Sequence, residues 1–149
     1  MKLPSKPIFN EAFKERGLEN IIKWDVVTIE NLSTVILTFE SVNSEWRQGV
    51  WLKTDNGIFI NTILYLNIEL WYDTAPKTVK MNIRTKENKL HIYNIWDRGK
   101  GRESQAYTSG MILIVDREKR IYKCNDIGFD TDFSKLVFSI TQNKICSKF

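Results

Sequence analysis

The sequence predicts an all-β fold, a β-sandwich of jelly-roll type preceded by a short N-terminal helix. Three observations predict it. From Trp24 onward, short segments alternate apolar with polar residues. Polar turns bearing Gly, Asn or Asp separate them at intervals of about ten residues. Aromatics are plentiful, with five Trp, five Tyr and eight Phe, and such side chains favour pleated, half-buried surfaces. A closed barrel is the alternative use of the same strands.

Residues 1–23 read as an arm and a helix. The arm carries Pro4 and Pro7 between lysines; Asn10 to Arg16 then places Phe9 and Phe13 on one helical face, with Gly17 as the stop. Residues 24–141 read as one β domain. Trp24–Glu30 and Thr34–Ser41 are its first strands, joined at Asn31-Leu32-Ser33. Gly49–Thr54 and Ile58–Asn61 form a hairpin about Asp55-Asn56-Gly57, because Asn-Gly accepts positive φ. Asn67–Asp73 sets Ile68, Leu70 and Tyr72 against Glu69, Trp71 and Asp73. After the Thr74-Ala75-Pro76 turn, Thr78–Thr85 points Val79, Met81 and Ile83 inward. Leu90–Trp96 follows. Met111–Val115 is continuously apolar and reads as a strand buried on both faces. Arg120–Cys124 and Lys135–Thr141 complete the set, and residues 142–149 form a tail.

The bulk composition limits the functional classes. At 149 residues the chain is one domain with room for a core. Its net charge of +4 is mild, and the basic residues are dispersed from Lys2 and Lys6 to Lys144 and Lys148. A nucleic-acid partner is therefore not expected. The first residues lack the apolar core of an export signal, and no segment is long enough to span a membrane as a helix, so a cytoplasmic address is expected. Cys124 and Cys146 then read as free thiols, with a disulfide between a late strand and the tail as the alternative. A single His and the absence of Cys-x-x-Cys leave no zinc site, and no cofactor motif appears.

Three places carry candidate chemistry. The loop Asp97-Arg98-Gly99-Lys100-Gly101-Arg102 offers backbone N–H groups and three positive charges to an anionic group, without P-loop spacing. The pairs Trp71 with Asp73 and Trp96 with Asp97 set an aromatic ring beside a carboxylate, an arrangement suited to a sugar; the same tryptophans also suit a sandwich core. Asp126, Asp130 and Asp132 supply oxygens to calcium or cap turns locally. No nucleophile elbow is present and His91 stands alone. Two carboxylates, for instance Asp73 and Asp97, could serve glycoside hydrolysis, but nothing in the sequence fixes their separation.

The runs Leu70–Pro76, Leu90–Gly99, Tyr122–Asp126 and Phe133–Phe138 resemble a group of small uncharacterised bacterial proteins, chiefly from Bacillus-type organisms. The resemblance spans about two-thirds of the chain. It implies a bacterial cytosolic origin and no particular activity. The resulting expectation is a non-catalytic binding module for a protein partner, with Trp71, Asp73, Trp96, Asp97, Arg98, Lys100 and Arg102 as its surface. A carbohydrate-binding module is the first alternative and a carboxylate-based hydrolase the second.

Overall fold

The computed structural model describes residues 3–143. In chain order its elements are β1 (Ile8–Phe9), a 3-10 turn (Glu11–Arg16), β2 (Ile22–Thr28), β3 (Thr34–Val42), β4 (Arg47–Ile60), β5 (Ile63–Trp71), β6 (Thr78–Ile83), β7 (Lys89–Asp97), β8 (Arg102–Glu103), β9 (Gly110–Asp116), β10 (Lys119–Asn125) and β11 (Leu136–Asn143). Every pairing is antiparallel.

The jelly-roll sandwich is not what forms. The strands make a single sheet in the order β2-β9-β10-β11-β3-β6-β4-β7, and β7 pairs back onto β2. This closes an eight-strand barrel, which leaves no edge within the ring. β1 and β8 are short additions to β2 and β7, and β5 lies outside the ring against β4. The N-terminal helix is likewise replaced. Glu11–Arg16 is a 3-10 turn, capped by the Asn10 side chain and ended by Gly17 at φ 76°.

β4 explains the difference. The predicted Asp55-Asn56-Gly57 hairpin is instead an irregularity inside one 14-residue strand. Gly57 does take a positive φ of 100°, but its N–H bonds the Thr54 hydroxyl at 2.8 Å. Asp55 accepts from the Thr85 hydroxyl at 2.5 Å and from the Lys86 N–H at 2.8 Å. The turn chemistry thus ties β4 to the β6–β7 connection. The chain reverses later, at Asn61, whose φ is 56°. The first half of β4 pairs with β7 and its far end with β6.

The interior follows the strand alternation. Val35, Leu37 and Phe39 of β3, Val79, Met81 and Ile83 of β6, Leu90 and Ile92 of β7, and Leu136, Phe138 and Ile140 of β11 are all buried. Tyr122 and Phe138 stack within it at 4.9 Å. A second, smaller cluster of Phe13, Ile21 and Phe133 anchors the 3-10 turn. β9 corrects another expectation: Met111 is buried, but Ile114 and Val115 are exposed, so the strand is not covered on both faces.

Two polar networks are buried among these side chains. Asp25 accepts from the Tyr122 hydroxyl at 2.5 Å, from Arg120 at 3.1 Å and from the Val26 N–H at 2.9 Å. Burial and the Asp25 carboxylate push the Tyr122 phenol well above its ordinary range. Elsewhere Gln48 donates to Asp126 at 2.9 Å, and Asn94 to the Asn125 carbonyl at 3.0 Å. Asp126 also accepts from the Ile127 N–H, and Asp132 from the Ser134 hydroxyl. Asp126 is thus committed to Gln48 and to its own turn, and Asp132 caps its turn locally. No metal-binding group of three His, Cys, Asp or Glu side chains occurs among the described residues. Cys124 is a free, buried thiol whose pKa burial drives up. Cys146, Lys2, Lys144 and Lys148 lie outside the described residues, as does the predicted tail beyond Asn143. No helix among the described residues is long and apolar enough to cross a membrane.

Candidate functional site

The outer face of β5, β4, β7 and β8 gathers most of the residues singled out in the sequence. Register places Trp71 opposite Gly49, Arg47 opposite Asp97, and Asp97 opposite Arg102. Side chains across an antiparallel ladder share a face. Residues far apart in the chain therefore form one band.

Three arginines at this end of the barrel share a construction: each lies near an aromatic ring and pairs with a carboxylate. Arg47 and Arg102 stand on the outer face, whereas Glu103, the partner of Arg98, is registered opposite Trp96 and belongs to the other face. Arg47 sits 4.4 Å from the Trp71 ring centre, and its Nε donates to both Asp73 oxygens at 2.8 and 3.0 Å. Arg98 lies 5.2 Å from the Trp46 ring and forks onto Glu103 at 2.7 and 2.6 Å. Arg102 lies 6.0 Å from the Tyr93 ring and 3.4 Å from Glu69. The Arg98 fork holds the Glu103 carboxyl below the usual carboxylate range. Planar guanidinium groups stack and fork in ways that lysine cannot. The pairs leave the band balanced in charge and still rich in free N–H and carboxylate positions.

Close approach positions Trp71. A Cβ on Gly49 would lie 2.6 Å from the Leu70 carbonyl oxygen and 2.9 Å from the Trp71 ring. The indole therefore lies against Gly49 on one side and under Arg47 on the other, and it is 9% exposed. Its neighbour Tyr72 turns to the other side, where its ring meets the edge of Phe39 at 5.7 Å while remaining partly open to solvent. Trp51 and Tyr93 stack at 4.4 Å with Trp24 against both. The Trp24 indole donates to Nδ1 of His91 at 3.0 Å. Burial holds His91 below its ordinary pKa.

The proposed anchors divide. Trp96 is wholly buried, on the inner face of β7 opposite Gln48, and offers no surface to a ligand. Its place among the barrel interior follows from strand parity, one residue out of phase with Tyr93 and Ile95. Asp97 turns its Oδ1 onto the Gly99 and Gly101 N–H groups, at 2.7 and 3.2 Å. The loop amides expected to receive an anion are thus occupied by its own carboxylate. Lys100 is exposed at the tip. Asp73 is committed to Arg47, and Arg98 and Arg102 to their acids. Arg47, Glu69 and Tyr93 complete the band, Trp46 and Glu103 stand with Arg98 at its margin, and none of the five was singled out in the sequence. The alternation Glu69-x-Trp71-x-Asp73 was the visible signal for one of them; the partners on β4 and β7 needed the register.

Neither a family description nor a curated protein matches the chain. Among solved structures, the Chromobacterium violaceum lectin CV2L in complex with alpha-methyl-fucoside is similar over 81% of this chain and 96% of its own. Identity there is 12% and the TM-score 0.44.

Proposed function

We propose that this chain is a non-catalytic binding module that recognises a protein partner through the band of Arg47, Arg98 and Arg102. The observation that carries this reading is the repeated arginine–aromatic–carboxylate unit, two copies on the outer sheet face and a third, that of Arg98, at its margin. Arg, Trp and Tyr are the residues that concentrate binding energy at protein interfaces. Each guanidinium here is held in place before binding, which lowers the entropy cost of association. Five of the clefts among the described residues are lined by other side chains than these three arginines, and small-molecule sites are characteristically concave. Charge balance across the band disfavours a polyanion, which needs net positive charge.

A second reading, an oligosaccharide laid along the face, is favoured by one feature. Asp73 and Arg47 present hydrogen-bonding atoms at the rim of the Trp71 ring. Both readings are tested with Arg47→Ala, at a half-buried position, and Arg98→Ala, at an exposed one, both outside the barrel interior. A partner captured from nuclease-treated extract, or a glycan retained on an array, should be lost or weakened at least tenfold in these variants. Capture indifferent to both substitutions would remove the band as the site. Binding of glycan but no protein would select the second reading.

A further inference from the structure

The tip of the β4–β5 hairpin leaves a strand edge unguarded. β5 pairs with β4 and with no other strand among the described residues. Its first four residues are apolar and open: Ile63 is 56% exposed, Leu64 47%, Tyr65 38% and Leu66 68%. Successive strand residues point to opposite faces, so the hairpin tip is bare on both. From Ile58 to Ile68 the sequence contains no charged residue and no proline. Sheet proteins ordinarily protect such edges with lysine, proline or inward-pointing charge. Elsewhere this fold closes its sheet into a ring, so the open edge of β5 stands apart from its general plan.

We propose that β5 pairs antiparallel with β5 of a second copy, about a two-fold axis perpendicular to the sheet at Tyr65. Such an axis keeps each copy's faces on the same side, so only residues of like parity oppose one another. Centred on Tyr65, Leu64 of each copy faces Leu66 of the other, and Ile63 faces Asn67. The most exposed apolar side chain of the strand is thereby covered. Charge selects the occupant. A chain of net charge +4 repels its copy weakly, but this segment contributes nothing to that repulsion and offers no complement to a charged partner strand. The symmetric pairing closes on itself, so it ends at a dimer rather than a filament. One strand pair buries only on the order of 1,000 Å², so the dimer is reversible, with a Kd in the micromolar range. Continuing the sheet across the axis would turn the two arginine bands the same way.

Sedimentation velocity across a concentration series tests this on the full chain. The wild type should pass from monomer to dimer as concentration rises. Leu66→Lys should weaken the dimer at least tenfold with an unchanged far-ultraviolet spectrum and melt. Val115→Lys, an equally exposed position on β9, should leave the dimer as it was. Should Leu66→Lys not fold, Tyr65→Cys in a Cys146→Ser background serves instead. The two engineered thiols would face each other across the axis and cross-link the native protein on oxidation. A wild type that stays monomeric, a dimer that survives Leu66→Lys, or an uncross-linked Tyr65→Cys dimer would each overturn the proposal. Partner capture through Arg47 is a separate readout, so failure of one reading leaves the other standing.

Discussion

Replacing Asp25 by Ala should unfold this protein more readily than any conservative surface change. The carboxylate is 1% exposed and receives three hydrogen bonds. Its removal strands two side-chain donors, Arg120 and Tyr122, besides the Val26 N–H. The Arg120 side chain is 28% exposed and can regain some hydration, so its loss is discounted. The Tyr122 hydroxyl is wholly buried and regains none. Breaking a buried, hydrogen-bonded pair costs about 3–5 kcal/mol; with Arg120 partly solvated, about 3 kcal/mol is the better figure. For a chain of this size that lowers Tm by roughly 6–12 °C. Urea unfolding followed by circular dichroism, at a pH near neutrality, measures it directly. Tyr122→Phe removes one stranded group in advance, so Asp25→Ala should cost less in that background, by about 1 kcal/mol or more. A loss below about 1 kcal/mol in the single variant, or strict additivity in the double, would refute the network.

Two further predictions concern His91 and Trp96. Burial lowers the His91 pKa in the folded state, so below about pH 6.5 the unfolded chain binds a proton that the folded chain refuses. Stability should fall as pH drops from about 6.5 toward the depressed folded value, and His91→Asn, which retains an acceptor for the Trp24 indole, should flatten that slope in urea titrations. Trp96→Ala should cost about 3–5 kcal/mol through the cavity it leaves, while Arg47→Ala should cost little stability. Denaturant midpoints for the two variants separate a core residue from a surface one.

The strands were legible in the sequence and their closure was not. Alternation alone assigns Val79, Met81 and Ile83 to the interior, because burial on one face imposes period two. It also puts Trp71 and Tyr72 on opposite faces. Whether the sheet closes depends on pairings between β2 and β7 and between β2 and β9, and nothing in either segment specifies its distant neighbour. The Asn56-Gly57 signal was real but local. Gly57 takes the positive φ that Asn-Gly permits, yet Thr54 and Asp55 commit those residues to a strand irregularity rather than a hairpin. Trp96 failed as an anchor for a related reason. Adjacency to Asp97 in sequence places the two on opposite faces of one strand, so an aromatic next to a carboxylate is a poor sign of a shared site. Glu69 and Trp71, spaced by two, do share a face of β5.

The ring closes between β2 and β9 through one residue pair, Ile22 with Met111. These residues are widely separated in sequence, so their meeting requires a long loop to close, an entropic cost the chain must meet before this contact contributes. By contrast, β9, β10 and β11 form successive antiparallel pairs, the first joined by a tight turn at residues 117–118 and the second by the loop 126–135, both far shorter than the span from Ile22 to Met111. The local meander can therefore assemble early and the seam last. Native fluctuations should run in reverse, with the β2–β9 junction parting at lower free energy than the barrel as a whole. Amide exchange at Ile22 and Met111 would then proceed by a partial opening, while the amides of Tyr122 and Phe138 wait for global unfolding.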